Sequence, residues 1–176
     1  MNQLGLVMLF GLLAVACRTD LLSHRIPNPV VFAGAALGIL WNGLSPYGHG
    51  WAAAFEGMGI GLAFLMPLYF LRAMSAGDVK LLAMVGSFLG PIDVIGATLA
   101  TFLMGGAMAV AITLKMGVFQ QMLRNLWFIV VGSAVRLASG SMPTIEYPVQ
   151  PAARLPYGVA ITAGTAAFVA WQRSLG

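Results

Sequence analysis

Two aspartates, Asp20 and Asp78, carry the chemistry that this chain is equipped to do. Only 5 acidic residues occur among 176, and these two stand at the edges of long apolar runs. Each lies beside a loop-forming stretch, TDLLSHRIPN for Asp20 and SAGDVKLL for Asp78. An ionisable group near lipid depth is expensive and is functional by default. Two carboxyls at one site cannot both ionise easily, so they share a proton over a broad pH range. The ionised member can take a proton from water and turn it into a nucleophile towards a peptide carbonyl. The protonated member can polarise that carbonyl or protonate the leaving amine. This pair chemistry needs neither metal nor cofactor, and none is expected. A carboxyl at a helix start is favoured as the anion and one past a helix end is not. Asp78 is therefore expected to be ionised more often and Asp20 to hold the proton, the two titrating as a coupled pair.

The composition says where such a pair would work. Hydrophobic residues make up 60% of the chain and charged residues 8%, with mean hydropathy +0.90. Soluble domains are about 25% charged, so the fold class expected is an all-α, polytopic membrane protein. The length suits a single membrane-embedded domain over residues 1–176. The net charge of +4 is scattered between apolar runs, which reports topology and not nucleic-acid binding. The single cysteine, Cys17, excludes an internal disulfide or a multi-cysteine zinc site. The first positive charge, Arg18, follows the first apolar run, so that run reads as a retained span and not a secretory signal.

Apolar runs over 3–17, 28–44, 51–71, 79–90, 92–115 and 155–173 predict six transmembrane helices. Arg18 and Arg25 flank the first loop, and Arg72 and Lys80 the third. Lys115, Arg124, Arg136 and Arg154 fall between the fifth and last spans, while the second and fourth loops carry no Lys or Arg. With basic loops in the cytoplasm, both termini face out and Asp20 and Asp78 share the cytoplasmic side. Leu126 to Val135 is too short to span, so 118–137 is expected to hold an interfacial amphipathic helix. Residues 139–153, with Pro143, Pro148 and Pro151, read as an extended loop.

Local signals give each candidate a position. Asp78 is expected at or near the start of the fourth span, where a plain N-cap is the alternative to a catalytic role. It follows a Gly77 that permits unusual backbone angles and close approach of another backbone. Ile26 and Pro27 make a rigid turn, with Asn28 as N-cap and Pro29 opening the second span. Lys80 is expected to snorkel to water. Pro156, Tyr157 and Gly158 open the last span at the depth of the pair. Gly34/Gly38, Gly57/Gly61 and Gly86/Gly90 have the GxxxG spacing of tightly packed helices. Glu56 and Asp93 belong to the outer side, Asp93 as a turn or cap after Pro91. His24 reads as a loop residue and Cys17 as a small buried one.

Taken in order, these motifs resemble one family. Asp20 with Ile-Pro-Asn at 26–28, then Gly77-Asp78-Val79-Lys80-Leu81-Leu82-Ala83 with Gly86 and Gly90, then Pro156-Tyr157-Gly158, look like the type IV prepilin peptidases. These are intramembrane aspartic proteases of the GxGD kind, and the likeness covers nearly the whole chain. It implies that Asp20 and Asp78 are catalytic. It also implies that Gly77, Lys80, Pro27, Asn28, Pro156, Tyr157 and Gly158 bind substrate or shape the site. The implied reaction removes the short basic leader of pilin-like precursors, after a glycine, at the cytoplasmic face of a bacterial inner membrane. The implied partners are the precursor and the bilayer. Ser75 stands where the family motif has its first glycine. The cytoplasmic insert with paired CxxC motifs and methyltransferase activity is missing, as in the short peptidase-only branch of tight-adherence (Flp-type) pili. A proton-coupled transporter and a catalytically silent assembly factor are the competing readings.

Overall fold

The computed structural model describes residues 3–23, 25–71, 74–124, 127, 131 and 156–174. Every regular element among them is helical. They are α1 (Gln3–Ser23), α2 (Asn28–Leu44), α3 (Trp51–Phe70), α4 (Ala76–Leu89), α5 (Pro91–Lys115), α6 (helical over 119–124) and α7 (Tyr157–Ser174). Of these, α1, α3 and α5 are long and apolar enough to cross a membrane, and α2 is a shorter apolar helix. The helix boundaries follow the apolar runs closely except at the first.

α1 continues to Ser23, well past the run that ends at residue 17. Nothing between Arg18 and Ser23 breaks a helix, and two hydroxyls tie down its end. Thr19 donates to the Val15 and Ala16 carbonyls at 3.0 and 2.9 Å, and Ser23 to the Thr19 carbonyl at 2.8 Å. Asp20 is thus inside the last turn of α1, not beyond its end as expected. The buried stripe of this helix runs Leu6, Leu9, Leu13, Ala16, Asp20. Its spacing of three and four places the carboxylate on the face that packs into the core.

The chain divides into two compact units, Met1–Gly105 with Pro156–Gly176, and Gly106–Leu155. In the first, α4 is the hub, packing most extensively on α3 and α2 and also touching α7 and α1. From Val79 to Leu89 every residue of α4 is buried except Lys80, which is half-buried. At 14 residues it is about 21 Å long. It is enclosed by protein, so it has no need of the length or amphipathic face of a lipid-facing span.

Glycines make that enclosure possible. A Cβ on Gly57 would run into the Gly86 carbonyl, and one on Gly86 into the Gly57 carbonyl. Added to Gly61, it would stand 2.6 Å from the Leu82 carbonyl oxygen. Gly34 and Gly38 of α2 are covered by Met84, Ser87 and Phe88. Tight packing, the role expected of these pairs, holds for all but Gly90. That residue has φ +86° and makes the reversal between α4 and α5 at Pro91. Buried Asn42 ties α2 to the end of α4, donating to the Ser87 and Phe88 carbonyls at 2.7 and 2.9 Å.

In the second unit, α5 ends in a Schellman turn. Gly117 has φ +68°, and Val118 N donates to the Thr113 carbonyl at 3.0 Å. Helix α6 follows, and Thr113 meets Met122. The amphipathic helix expected over 118–137 is described only in part, and the 139–153 loop, Arg136 and Arg154 lie outside the described residues.

Gly86→Ala should destabilise the fold by about 1–3 kcal/mol, the usual cost of overpacking a core. Gly59→Ala, whose Cβ meets nothing within 4 Å, should be neutral. Thermal denaturation of the two variants in detergent checks the contrast.

Candidate active site

Asp20 and Asp78 are brought together. They are 6% and 5% exposed, and Asp78 lies within electrostatic range of Asp20. Both lie at the same end of the first unit, since α1 ends where α4 and α7 begin. The far end is closed by Asp93, which accepts from Gln172 at 3.0 Å and lies in the first turn of α5. Glu56 is exposed on α3. Both are away from the pair, as expected.

Asp78 is held by a capping box, but not as its N-cap. Ser75 is the N-cap of α4 and Asp78 the third helical residue. The Ser75 hydroxyl accepts from Asp78 N at 3.3 Å and donates to Asp78 Oδ2 at 2.8 Å. Ser75 N also donates to Oδ2, at 3.1 Å. The residue that departs from the family's glycine therefore grips the carboxyl directly. Ser-x-x-Asp ahead of an apolar run is a capping-box pattern, so this was legible in the sequence.

Asp20 is held from a different direction. Gly158 N donates to Asp20 Oδ2 at 2.8 Å, across 138 residues of chain. No sequence signal announces this contact. Each carboxyl is thus pinned through Oδ2, and among the described residues neither Oδ1 has a hydrogen-bond partner. Asp78 stands outside α1, α3 and α5, the helices long and apolar enough to cross a membrane. Burial pushes its carboxyl above the ordinary value, the two Ser75 hydrogen bonds pull it down, and the charge of Asp20 raises it again.

The remaining candidates surround the pair in different ways. Gly77 has no positive φ, and its role is space: a Cβ there would stand 3.3 Å from the Ile26 Cβ, against a side chain and not a backbone. Half-buried Pro27, not Asn28, precedes α2 as N-cap, without a side-chain capping bond. The Asn28 Oδ1 is engaged elsewhere, accepting from Lys80 Nζ at 3.1 Å. Lys80 also lies 5.3 Å from the centre of the Phe32 ring. It braces α4 against the start of α2 through an exposed hydrogen bond.

Pro156 and Tyr157 are half-buried and Gly158 is buried. The Tyr157 hydroxyl lies against Gly105, where a Cβ would be 3.2 Å away, and its ring is within electrostatic range of Asp78. Cys17 is half-buried on α1, more open than expected. His24 and Arg72 lie outside the described residues.

The fold and this end of it define an all-helical membrane protein with a buried, interacting carboxyl pair. The type IV leader peptidase family matches residues 7–110, well over half of the chain, and the chain belongs to that family. Membership makes it a peptidase, with prepilin-type precursors as the substrates the family implies. The matched stretch contains both aspartates and ends before α7. No curated protein and no solved structure matches the chain.

Ser75→Ala removes the hydroxyl that favours the ionised form of Asp78. The Asp78 titration should move to still higher pH, and the lost cap should cost about 1 kcal/mol. Infrared titration of 13C-labelled aspartate, with a melting curve, measures both.

Proposed function

We propose that the chain is an aspartic endopeptidase, one membrane-embedded peptidase domain that removes the short basic leader from type IV pilin-like precursors. The observation that carries this reading is the pair itself. Two carboxyls from distant segments are buried together, each anchored by one oxygen and, among the described residues, each with the other oxygen uncommitted. That is the arrangement two acids need to hold a water between them.

The reaction follows from these assignments. We assign the shared proton to Asp78 Oδ1, the oxygen that the two Ser75 hydrogen bonds leave free. Asp20 Oδ1 takes a proton from water as the water oxygen bonds to the scissile carbonyl carbon. Asp78 gives its proton to the carbonyl oxygen, so the tetrahedral adduct forms without a full charge on that oxygen. Asp20 then returns its proton to the departing nitrogen, the C–N bond breaks, and the adduct's hydroxyl proton goes back to Asp78. One water is consumed and both carboxyls recover their starting state. General acid–base help of this kind contributes about 10²–10⁴-fold.

The distribution of Lys and Arg between the apolar runs supports six crossings with the basic loops inside, and with them a pair at the cytoplasmic face of the inner membrane. Anionic lipids there collect cationic leader segments. The peptidase-only, Flp-type specificity rests on the family motif order and on a chain whose single cysteine supplies no CxxC pair.

Purified protein reconstituted with a synthetic precursor should cleave it at one bond. Asp20→Asn and Asp78→Asn should each lower the rate by roughly 10³-fold or more, as expected when a group that acts as part of a unit is lost. Cleavage that survives either change sinks the dyad. Solute flux without cleavage would instead support transport. The wild-type rate should vary with pH through the acidic and neutral ranges, and a flat profile counts against two coupled carboxyls.

A further inference from the structure

The first four N–H groups of any helix lack partners within it. In α7 the second of these belongs to Gly158, and it is spent on Asp20 Oδ2 at 2.8 Å in a buried setting. The contact leaves no room for a side chain. A Cβ at position 158 would stand 2.8 Å from Oδ2 and 3.2 Å from both Cβ and Cγ of Asp20. Those atoms sit near the root of a short, buried side chain, so the carboxyl itself would have to move.

α7 is itself firmly seated. Thr162 donates to the Gly158 carbonyl at 2.8 Å with the Leu13 carbonyl of α1 3.4 Å away, and Gly164 meets the Thr101 backbone of α5. The donor at its start is therefore a fixed point, while Asp20 is a side chain with freedom to turn.

We propose that Gly158 is a positioning residue of the active site, its backbone N–H anchoring one oxygen of Asp20 so that the other is presented to the attacking water. The inference rests on the reading of Asp20 and Asp78 as the catalytic pair. It makes the start of α7, outside the family-matched residues 7–110, a third part of the site beside α1 and α4. Glycine at 158 answers a demand of the catalytic carboxyl and not of the helix, for which alanine is the better former.

Two replacements test it, with kcat and KM measured separately on the reconstituted full chain. Gly158→Ala displaces the carboxyl and should lower kcat by roughly 100-fold, the scale of a small misplacement at a reacting centre. KM should stay within about 3-fold, because ground-state binding of the precursor is untouched. Replacing Gly158 by its ester analogue removes the N–H and adds no atom. It should lower kcat by roughly 10- to 100-fold, the worth of a hydrogen bond to a charged group.

Gly164→Ala is the structural control, since its Cβ meets the Thr101 backbone. It should lower the melting temperature without a selective loss of kcat. If Gly158→Ala melts early as well, the ester variant decides alone. Wild-type kcat in the ester variant, or a loss confined to KM, overturns the proposal. Should Asp20→Asn keep cleaving, the dyad itself has failed. Should Asp20→Asn be inactive while the ester variant is fully active, only the role of Gly158 falls.

Discussion

A carboxyl removed from water must be given hydrogen-bond donors, and this bundle offers few polar side chains to supply them. Leaving a polar group without a partner in such surroundings costs several kcal/mol. The donors come from backbone at two helix starts. Ser75 N, with its hydroxyl, serves Asp78 at the head of α4, and Gly158 N serves Asp20 at the head of α7. Helix starts are the natural places for this, since their free N–H groups and positive dipole ends favour an acceptor carrying negative charge. The positions of α1, α4 and α7 are therefore not independent. The end of one must meet the beginnings of the other two.

That meeting depends on how α4 is buried. A helix enclosed on nearly all sides needs neighbours at backbone distance, and Gly57, Gly61 and Gly86 allow α3 to come that close. Gly34 and Gly38 do the same for α2 against Met84, Ser87 and Phe88. In lipid, where apolar side chains gain little by leaving the solvent, such packing and interhelical hydrogen bonding supply the association. Asn42 adds a buried polar tie at the far end of α4, and Lys80 with Asn28 adds one near the site. The stiff middle of the bundle thus holds Asp78 while the ends of α1 and α7 close on it.

Much of this could be read in the residues before any coordinates. The six apolar runs became helices nearly where expected, because hydrophobic length and Pro or Gly punctuation are local signals. Two local signals pointed further than the expectation drawn from them. Leu6, Leu9, Leu13 and Ala16 continue by spacing to Asp20, which put the carboxyl on the buried face. Ser75 and Asp78 have capping-box spacing, which made the serine the cap and the aspartate its partner. The cap expected of Asn28 failed for a different reason. Its side chain accepts from Lys80, 52 residues away, and a long-range partner displaced the local preference.

The sequence alone determined the helical class, the apolar composition, the two candidate acids and the motif order of the family, since each is written in residue type and short spacing. Tertiary structure decided which carboxyl oxygen is occupied, that burial raises Asp78, and that the beginning of α7 reaches Asp20. Those outcomes depend on solvent exclusion and on contacts between segments far apart along the chain. No local pattern encodes the environment that other helices create around a side chain.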